Sequence, residues 1–390
     1  MNLTTSRGLL ADRARQVAEI AARHVHDVDA RARFPREAVD ALRSNGLLAA
    51  AVPSALGGEN ATLHDLSEVA RILAESCSAT GMIFVMHQIQ VLCLTRHTHG
   101  STTVIRTLRR LVMDGTLMAS ATTEAGIGGS TRTSGCAIDE QPNGTIVLRK
   151  TAPVISYGAF ADVILTTARA SLESAPSDQV LVICPRATTR LTQLGEWDTL
   201  GFRGTCSPGF QLEATVDREH IVPDDFATIS AETMLPVSHL LWATVWLGIS
   251  DAAAAKAATA VQRSARKSIG TLPPAATRLA ELLGKVAAFG GLVESSTRAF
   301  DDDADDRAAL TSIPRAIAHN SLKITASDSV IDIVGQAMLV AGIAGYRQDS
   351  DLSLGRLLRD SYGTAVMVNN DRILANNAQL SLLQRRKARR

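Results

Sequence analysis

Apolar residues along this chain recur with a helical period, then in short strand-length runs, then with a helical period again. That order restricts the fold to helices, a sheet region and a second helical unit. From Gly8 to about Asp114 the spacing is three and four: Leu10, Ala14, Val17 and Ala21 line one helix. Ala38, Ala41 and Leu42 line another, which begins after Pro35 and stops near Gly46. The run AVPSALGGEN at 51–60 places Pro beside a Gly pair and predicts a loop, with helical spacing returning at Leu63.

Near Ser120 the rhythm changes. Short apolar runs at 145–148, 163–167, 179–184 and 210–215 are bounded by turn residues such as Asn143-Gly144 and Pro208-Gly209, which predicts antiparallel sheet. From roughly Thr233 to Leu383 four long helical stretches follow, near 234–263, 273–299, 307–341 and 352–383, and their short links predict an antiparallel bundle. The expected class is α+β, mostly α. An N-terminal helical domain would cover 1–117, a central antiparallel β-domain 118–228 and a C-terminal four-helix bundle 229–390.

Composition excludes several function classes. Forty Lys plus Arg against thirty-nine Asp plus Glu leave a net charge of +1, without the basic excess that counterion-driven binding to nucleic acid needs. With 46% hydrophobic and 20% charged residues the chain can bury enough apolar surface to fold. The five cysteines (Cys77, Cys93, Cys136, Cys184, Cys206) form no C-x-x-C pair, which argues against zinc or redox work and fits a reducing cytoplasm. The N-terminus lacks the apolar core of a signal peptide. The most apolar stretch, 235–249, is too short to span a bilayer and predicts a buried helix, so a soluble protein without a membrane partner is expected. The acidic run Asp301, Asp302, Asp303, Asp305 and Asp306 reads as a solvated connection, and no metal site is expected. No G-x-G-x-x-G follows a predicted strand and there is no P-loop, so the usual nicotinamide and nucleotide-phosphate cradles are missing.

Five segments carry a likeness in a fixed order: VPSALGG at 52–58, TEAGIGGS at 123–130, WDTLGFRGTCS at 197–207 with IVP at 221–223, AMLVAGIAGY at 337–346, and LGRLLRD at 354–360. Over nearly its whole length the chain resembles the acyl-CoA dehydrogenase family of flavoproteins. The resemblance implies FAD, a homotetramer or homodimer, an acyl thioester substrate, and an electron acceptor such as an electron-transfer flavoprotein or oxygen. Thr122 and Thr123 sit on a turn with Gly126, Gly128 and Gly129, where missing β-carbons let backbone amides approach a polar ring edge or phosphate. By the resemblance, Thr123 and Ser156 would hydrogen-bond the isoalloxazine, and Gly129 and Ser130 would face substrate. Arg266, in RKSIG, would meet the FAD pyrophosphate through its guanidinium fork, with Arg263 an almost equal candidate. Gly342 and Gly345 would let backbone approach the cofactor, and Asn370 would touch it. Val154 and Tyr157 replace the family's usual aromatic and Asn.

Dehydrogenation of a thioester needs a carboxylate to take the α-proton while the flavin takes a hydride from the β-carbon. The family's commonest Glu position is Val368 here, and that of a second branch is Ser238. Both would border the substrate, and neither carries a carboxylate. Asp371 and Glu232 are the nearest acidic residues in sequence. His87, in an apolar helix, and His239, beside the vacant position, are further candidates, because an imidazole near pKa 6.5 exchanges protons at neutral pH. The first expectation is an FAD-dependent oxidoreductase acting on an acyl or aminoacyl thioester, on CoA or a carrier protein, in a biosynthetic step. A flavin-dependent monooxygenase of the same superfamily, or a flavin-less scaffold whose basic tail QRRKARR (384–390) meets an acidic partner, are the alternatives.

Overall fold

The computed structural model describes residues 3–126, 131–267 and 270–384. Five helices open the chain: α1 (Leu3–Ala30), α2 (Arg36–Ser44), α3 (Leu63–Ser76), α4 (Ser78–Arg96) and α5 (Thr102–Asp114). At α3 a capping box sets the start. Thr62 Oγ1 accepts from the Asp65 amide (3.2 Å) and Asp65 Oδ2 accepts from the Thr62 amide (3.0 Å). α4 is apolar on almost every face and is accordingly buried inside the unit.

Eight strands follow: β1 (Met118–Ala121), β2 (Asp139–Glu140), β3 (Thr145–Ala152), β4 (Val163–Arg169), β5 (Gln179–Pro185), β6 (Thr189–Leu194), β7 (Gly209–Asp217) and β8 (Ile221–Asp225). They form two four-stranded sheets, β1-β4-β5-β8 and β2-β3-β7-β6. The wholly antiparallel expectation is corrected at one pair: β1 runs parallel to β4, with Met118 opposite Val163. A parallel pair needs a long crossover, and the chain between Ala121 and Val163, with β2 and β3 in the other sheet, supplies one.

The C-terminal unit contains α6 (Phe226–Ile229), a π-helical turn (Ser230–Met234), α7 (Leu235–Lys267), α8 (Ala276–Asp302), α9 (Arg307–Leu310), α10 (Ile313–Ala341), α11 (Ile343–Tyr346), α12 (Gly355–Val366) and α13 (Asn370–Leu383). The fourth helical stretch is two helices rather than one. The chain breaks at 367–369, where Val368 takes φ +53° and Asn369 Oδ1 accepts from the Asp371 (2.8 Å) and Arg372 (3.3 Å) amides to start α13.

Two further expectations are corrected. The helix containing 235–249 runs for 33 residues, and by length and composition three helical segments are long and apolar enough to cross a membrane. The fold itself covers most of two of them, 83% of the apolar window in Ser78–Arg96 and 89% in Phe226–Lys267. The acidic run is not merely solvated: Asp301 is largely buried and accepts from the Leu63 (2.8 Å) and His64 (2.9 Å) amides, so a bundle carboxylate completes the N-terminus of α3. Asp303 pairs with Arg315, and Asp306 caps α9.

The three units interlock where 197–207 meets α12. The Phe202 amide donates to the buried Asp360 Oδ1 (2.6 Å), and a β-carbon on Gly201 would lie 2.3 Å from the Arg359 carbonyl oxygen. From the same helix Arg359 pairs with Asp29 of α1, and Arg356 donates to Ser78 Oγ of α4 (2.9 Å). Truncating Asp360 leaves a buried amide without its acceptor. Asp360→Ala is expected to cost about 3 kcal/mol, read as a lower urea midpoint, because removing one partner of a buried polar pair exposes the full desolvation penalty of the other.

Candidate functional site

The end of β1 and the segment after β3 lie side by side. Thr123 Oγ1 donates to the Val154 carbonyl (3.2 Å) and the Ala125 amide donates to the Thr151 carbonyl (2.9 Å), which laces the 122–126 turn to the β3 exit. Glu124 ties the return of this loop: its carboxylate accepts from Ser134 Oγ (2.7 Å), the Gly135 amide (3.1 Å) and the Cys136 amide (2.8 Å). The expected cofactor residues Thr122, Thr123 and Ser156 are thus brought to one edge. Among the described residues the half-buried hydroxyls of Thr122 and Ser156 make no hydrogen bond, while Val154 beside them is 38% exposed. A hydroxyl both donates and accepts, so this open set fits the alternating nitrogens and oxygens of a flavin pyrimidine edge. Gly128, Gly129 and Ser130 lie outside the described residues. Tyr157, where the family usually has Asn, turns inward, and its hydroxyl donates to the Met118 carbonyl (2.9 Å).

Neither usual base position offers a proton acceptor of the right kind. Ser238, on the first turn of α7, donates Oγ back to the Met234 carbonyl at 2.5 Å. Val368 lies at the strained turn between α12 and α13 with its side chain 45% exposed. Asp371 is exposed on the first turn of α13, and Glu232 is buried on the π-helical turn with Arg307 Nη1 3.3 Å away.

The histidines behave differently from the sequence expectation. His87 is fully buried, Nε2 donating to the Leu48 carbonyl (2.9 Å) and Nδ1 accepting from the Met118 amide (3.0 Å), so it braces the N-terminal helices against β1. Burial pushes its pKa down to about 4. His239, whose Nδ1 has no partner, is pushed down to about 3 by burial first and then by the charge of Lys323. His319 falls to about 4, again chiefly through burial. All three rings are neutral at pH 7, so proton exchange near neutrality is removed by desolvation.

The remaining expected residues are dispersed. Arg266 is exposed on the last turn of α7, whereas Arg263 is held bidentately by Asp351 (3.1 and 2.6 Å). Gly342 takes φ +61° between α10 and α11, where a β-carbon would meet only open space, and Gly345 packs against Leu354. Asn370 is committed inside the protein: Oδ1 accepts from Lys323 Nζ (2.6 Å) and Nδ2 donates to Ser327 Oγ (2.8 Å). Sequence reasoning overlooked Lys323, although it falls on the buried stripe of α10 with Leu322, Ala326 and Val330, a register where a lysine is out of place.

Among the described residues, His97, His99 and Asp224 have ligand atoms within 4.8 Å of one another. Their geometry is that of hydrogen bonds and ion pairs. Asp224 Oδ2 meets His97 Nδ1 at 2.5 Å and His99 Nε2 at 2.8 Å, and Arg307 Nη1 lies 4.0 Å from the same oxygen.

The acyl-CoA dehydrogenase N-terminal domain model matches residues 4–116 and the acyl-CoA dehydrogenase C-terminal domain model matches 229–377. The chain belongs to the acyl-CoA dehydrogenase family of flavoproteins. It is 26% identical over 354 residues to the amino sugar nitrososynthase DnmZ of Streptomyces peucetius, covering 86% of this chain and 82% of that protein. It is 25% identical over 384 residues to cyclohex-1-ene-1-carbonyl-CoA dehydrogenase of Geobacter metallireducens, covering 95% and 96%. The crystal structure of KijD3 in complex with dTDP superposes with a TM-score of 0.86 at 21% identity, covering 98% of each chain.

Two outcomes follow from this geometry. Thr122→Val and Ser156→Ala should each weaken flavin binding roughly fivefold in a fluorescence titration, the effect of one lost neutral hydrogen bond, while leaving the unfolding midpoint unchanged. The buried histidines also fix the sign of the acid response. Each ring's pKa is lower folded than unfolded, so the unfolded chain binds more protons below pH 6.5 and stability falls as pH drops from there toward 4. At pH 5 the loss is roughly 2 kcal/mol per ring. Urea midpoints between pH 7 and 5 should trace this decline, and His87→Gln should make it shallower.

Proposed function

We propose that this protein is a flavin-dependent monooxygenase that oxidises the nitrogen of a small amine, with amino sugars the first class to test. One observation carries the reading: an edge suited to a flavin is kept while Val368 and Ser238 stand where the family's dehydrogenases hold their Glu. With no carboxylate at either position, the α-proton of a thioester loses the usual acceptor that the dehydrogenation expected first from the sequence requires. An amine nitrogen attacks through its own lone pair and needs no such base. Flavin held here in its reduced form would supply two of the electrons that take oxygen to water and an N–O bond, the amine nitrogen supplying the other two.

The residues of this chain do the holding. Thr122, Thr123 and Ser156 would orient the pyrimidine edge of the flavin, and Val154, Val368 and Ser238 would offer the reaction site neutral surfaces. Arg266 is suited to the pyrophosphate of FAD by its fork of donors. The similarity to an amino sugar nitrososynthase supports the amine as substrate, and the KijD3 crystals bearing FMN and a dTDP-linked 3-amino sugar support both ligand classes. Exposed Leu339, Ile343, Tyr346 and Val366 support a homodimer or homotetramer, and five free cysteines support a reducing cytoplasm.

The test uses the flavin-loaded protein in two arms. Anaerobic addition of a panel of CoA thioesters should leave the oxidised flavin spectrum unchanged. Reduced flavin from an added reductase, oxygen and a dTDP-3-amino sugar should give an N-oxidised product by mass spectrometry. Bleaching by a thioester with formation of its α,β-unsaturated product would overturn the proposal and restore the dehydrogenase reading.

A further inference from the structure

The ammonium of Lys323 is among the most deeply enclosed charges in the molecule, with no exposed surface. Its three protons meet three oxygens: the Thr364 carbonyl at 3.2 Å, the Val368 carbonyl at 2.6 Å and Asn370 Oδ1 at 2.6 Å. The first is an orphan carbonyl in the last turn of α12, the second belongs to the break, and the third is the first residue of α13. The Trp246 ring of α7 closes the fourth side, its centroid 5.7 Å from Nζ. Asn370 Nδ2 then donates to Ser327 Oγ on α10 (2.8 Å), and Thr364 Oγ1 donates to the Ser327 carbonyl (3.4 Å), so the anchoring helix is itself tied to both ends of the break.

What this cation holds is a turn that the local sequence resists. Val368 is β-branched and sits at φ +53°, a conformation that such residues almost never adopt without outside support. A neutral side chain could fill the cavity at a lower desolvation cost, and among the described residues no carboxylate lies within ion-pair reach of Nζ. The ammonium is therefore set against backbone and amide oxygens, which is an arrangement for fixing geometry.

We infer that Lys323 is the positioning residue of the α12–α13 turn, holding Val368 in its strained conformation so that the neutral wall of the reaction site is presented in one place. The inference rests on the reading that this turn borders the reaction site, while the clamp itself is a property of the chain alone. Burial brings the Lys323 pKa down to about 8. The charged group that reaches it is Asp328 on its own helix; from α7 it faces the neutral ring of His239, and α12 and α13 turn two carbonyls and an amide toward it. The clamp is accordingly strongest below pH 8 and loosens above it, as the ammonium becomes an amine that donates more weakly.

Hydrogen exchange of the full-length protein, followed by mass spectrometry between pH 7 and 9 and corrected for the intrinsic pH dependence of exchange, tests this without any substrate. In the wild type, protection of a peptide spanning 362–374 should fall as pH rises through about 8. Lys323→Met should speed exchange of that peptide roughly tenfold or more, leave peptides from α1 to α3 unchanged, and show no pH break. Asn370→Asp keeps the shape of the side chain and adds a negative partner, so its break should move to higher pH. Unaltered exchange in Lys323→Met, an increase spread over the whole bundle, or an unmoved break in Asn370→Asp would each overturn the inference. An FAD titration of the wild type runs beside it: absence of binding would defeat the proposed function while leaving the clamp to stand or fall on the exchange data.

Discussion

Asp360 receives the Phe202 amide in a space closed to solvent, and this contact locks the β-domain to the bundle. The flavin edge, Thr122, Thr123 and Ser156, belongs to the sheets. Val368 and Ser238 belong to the bundle. The join between the two units tolerates almost no variation. Gly201 admits no β-carbon, and the neighbouring Arg356 and Arg359 extend the same helix's grip to α4 and α1.

Several interior ionisable groups are taken out of water and either neutralised or met by uncharged oxygens. His87, His239 and His319 are driven to the neutral form by burial, and Lys323 is met by carbonyls and an amide. Lys150 in the β-domain donates to the Thr167 carbonyl (2.8 Å) and hydroxyl (2.7 Å), with the Glu124 carboxylate 3.9 Å away. Burial thus leaves these three imidazoles without a proton to exchange near neutral pH.

The broad architecture was legible because periodicity reports burial, and burial is what places helices and strands. The signature segments were legible for a related reason: Gly201, Gly204 and Asp360 sit where units touch, so few residue types serve there. Other features depend on partners remote in sequence. The parallel β1–β4 pair is invisible to strand patterning, since alternation of side chains is the same for either direction. Asp301 reads as one of five acids, and only the fold reveals that it caps a helix more than two hundred positions away. The break at 367–369 contains neither Gly nor Pro, the usual signals, because Lys323 supplies from α10 what the local residues lack. His87 resembled a reactive imidazole in sequence, and the peptide groups that engage both its nitrogens come from Leu48 and Met118.

A flavin bound to this protein is proposed to meet oxygen, and not the carbon acid of a thioester. Turnover of an amino sugar under ¹⁸O₂ in ordinary water decides it by the mass of the product. Every oxygen that the enzyme adds to nitrogen should carry the label. A product free of label, formed equally well without oxygen and carrying a new carbon–carbon double bond, would contradict it.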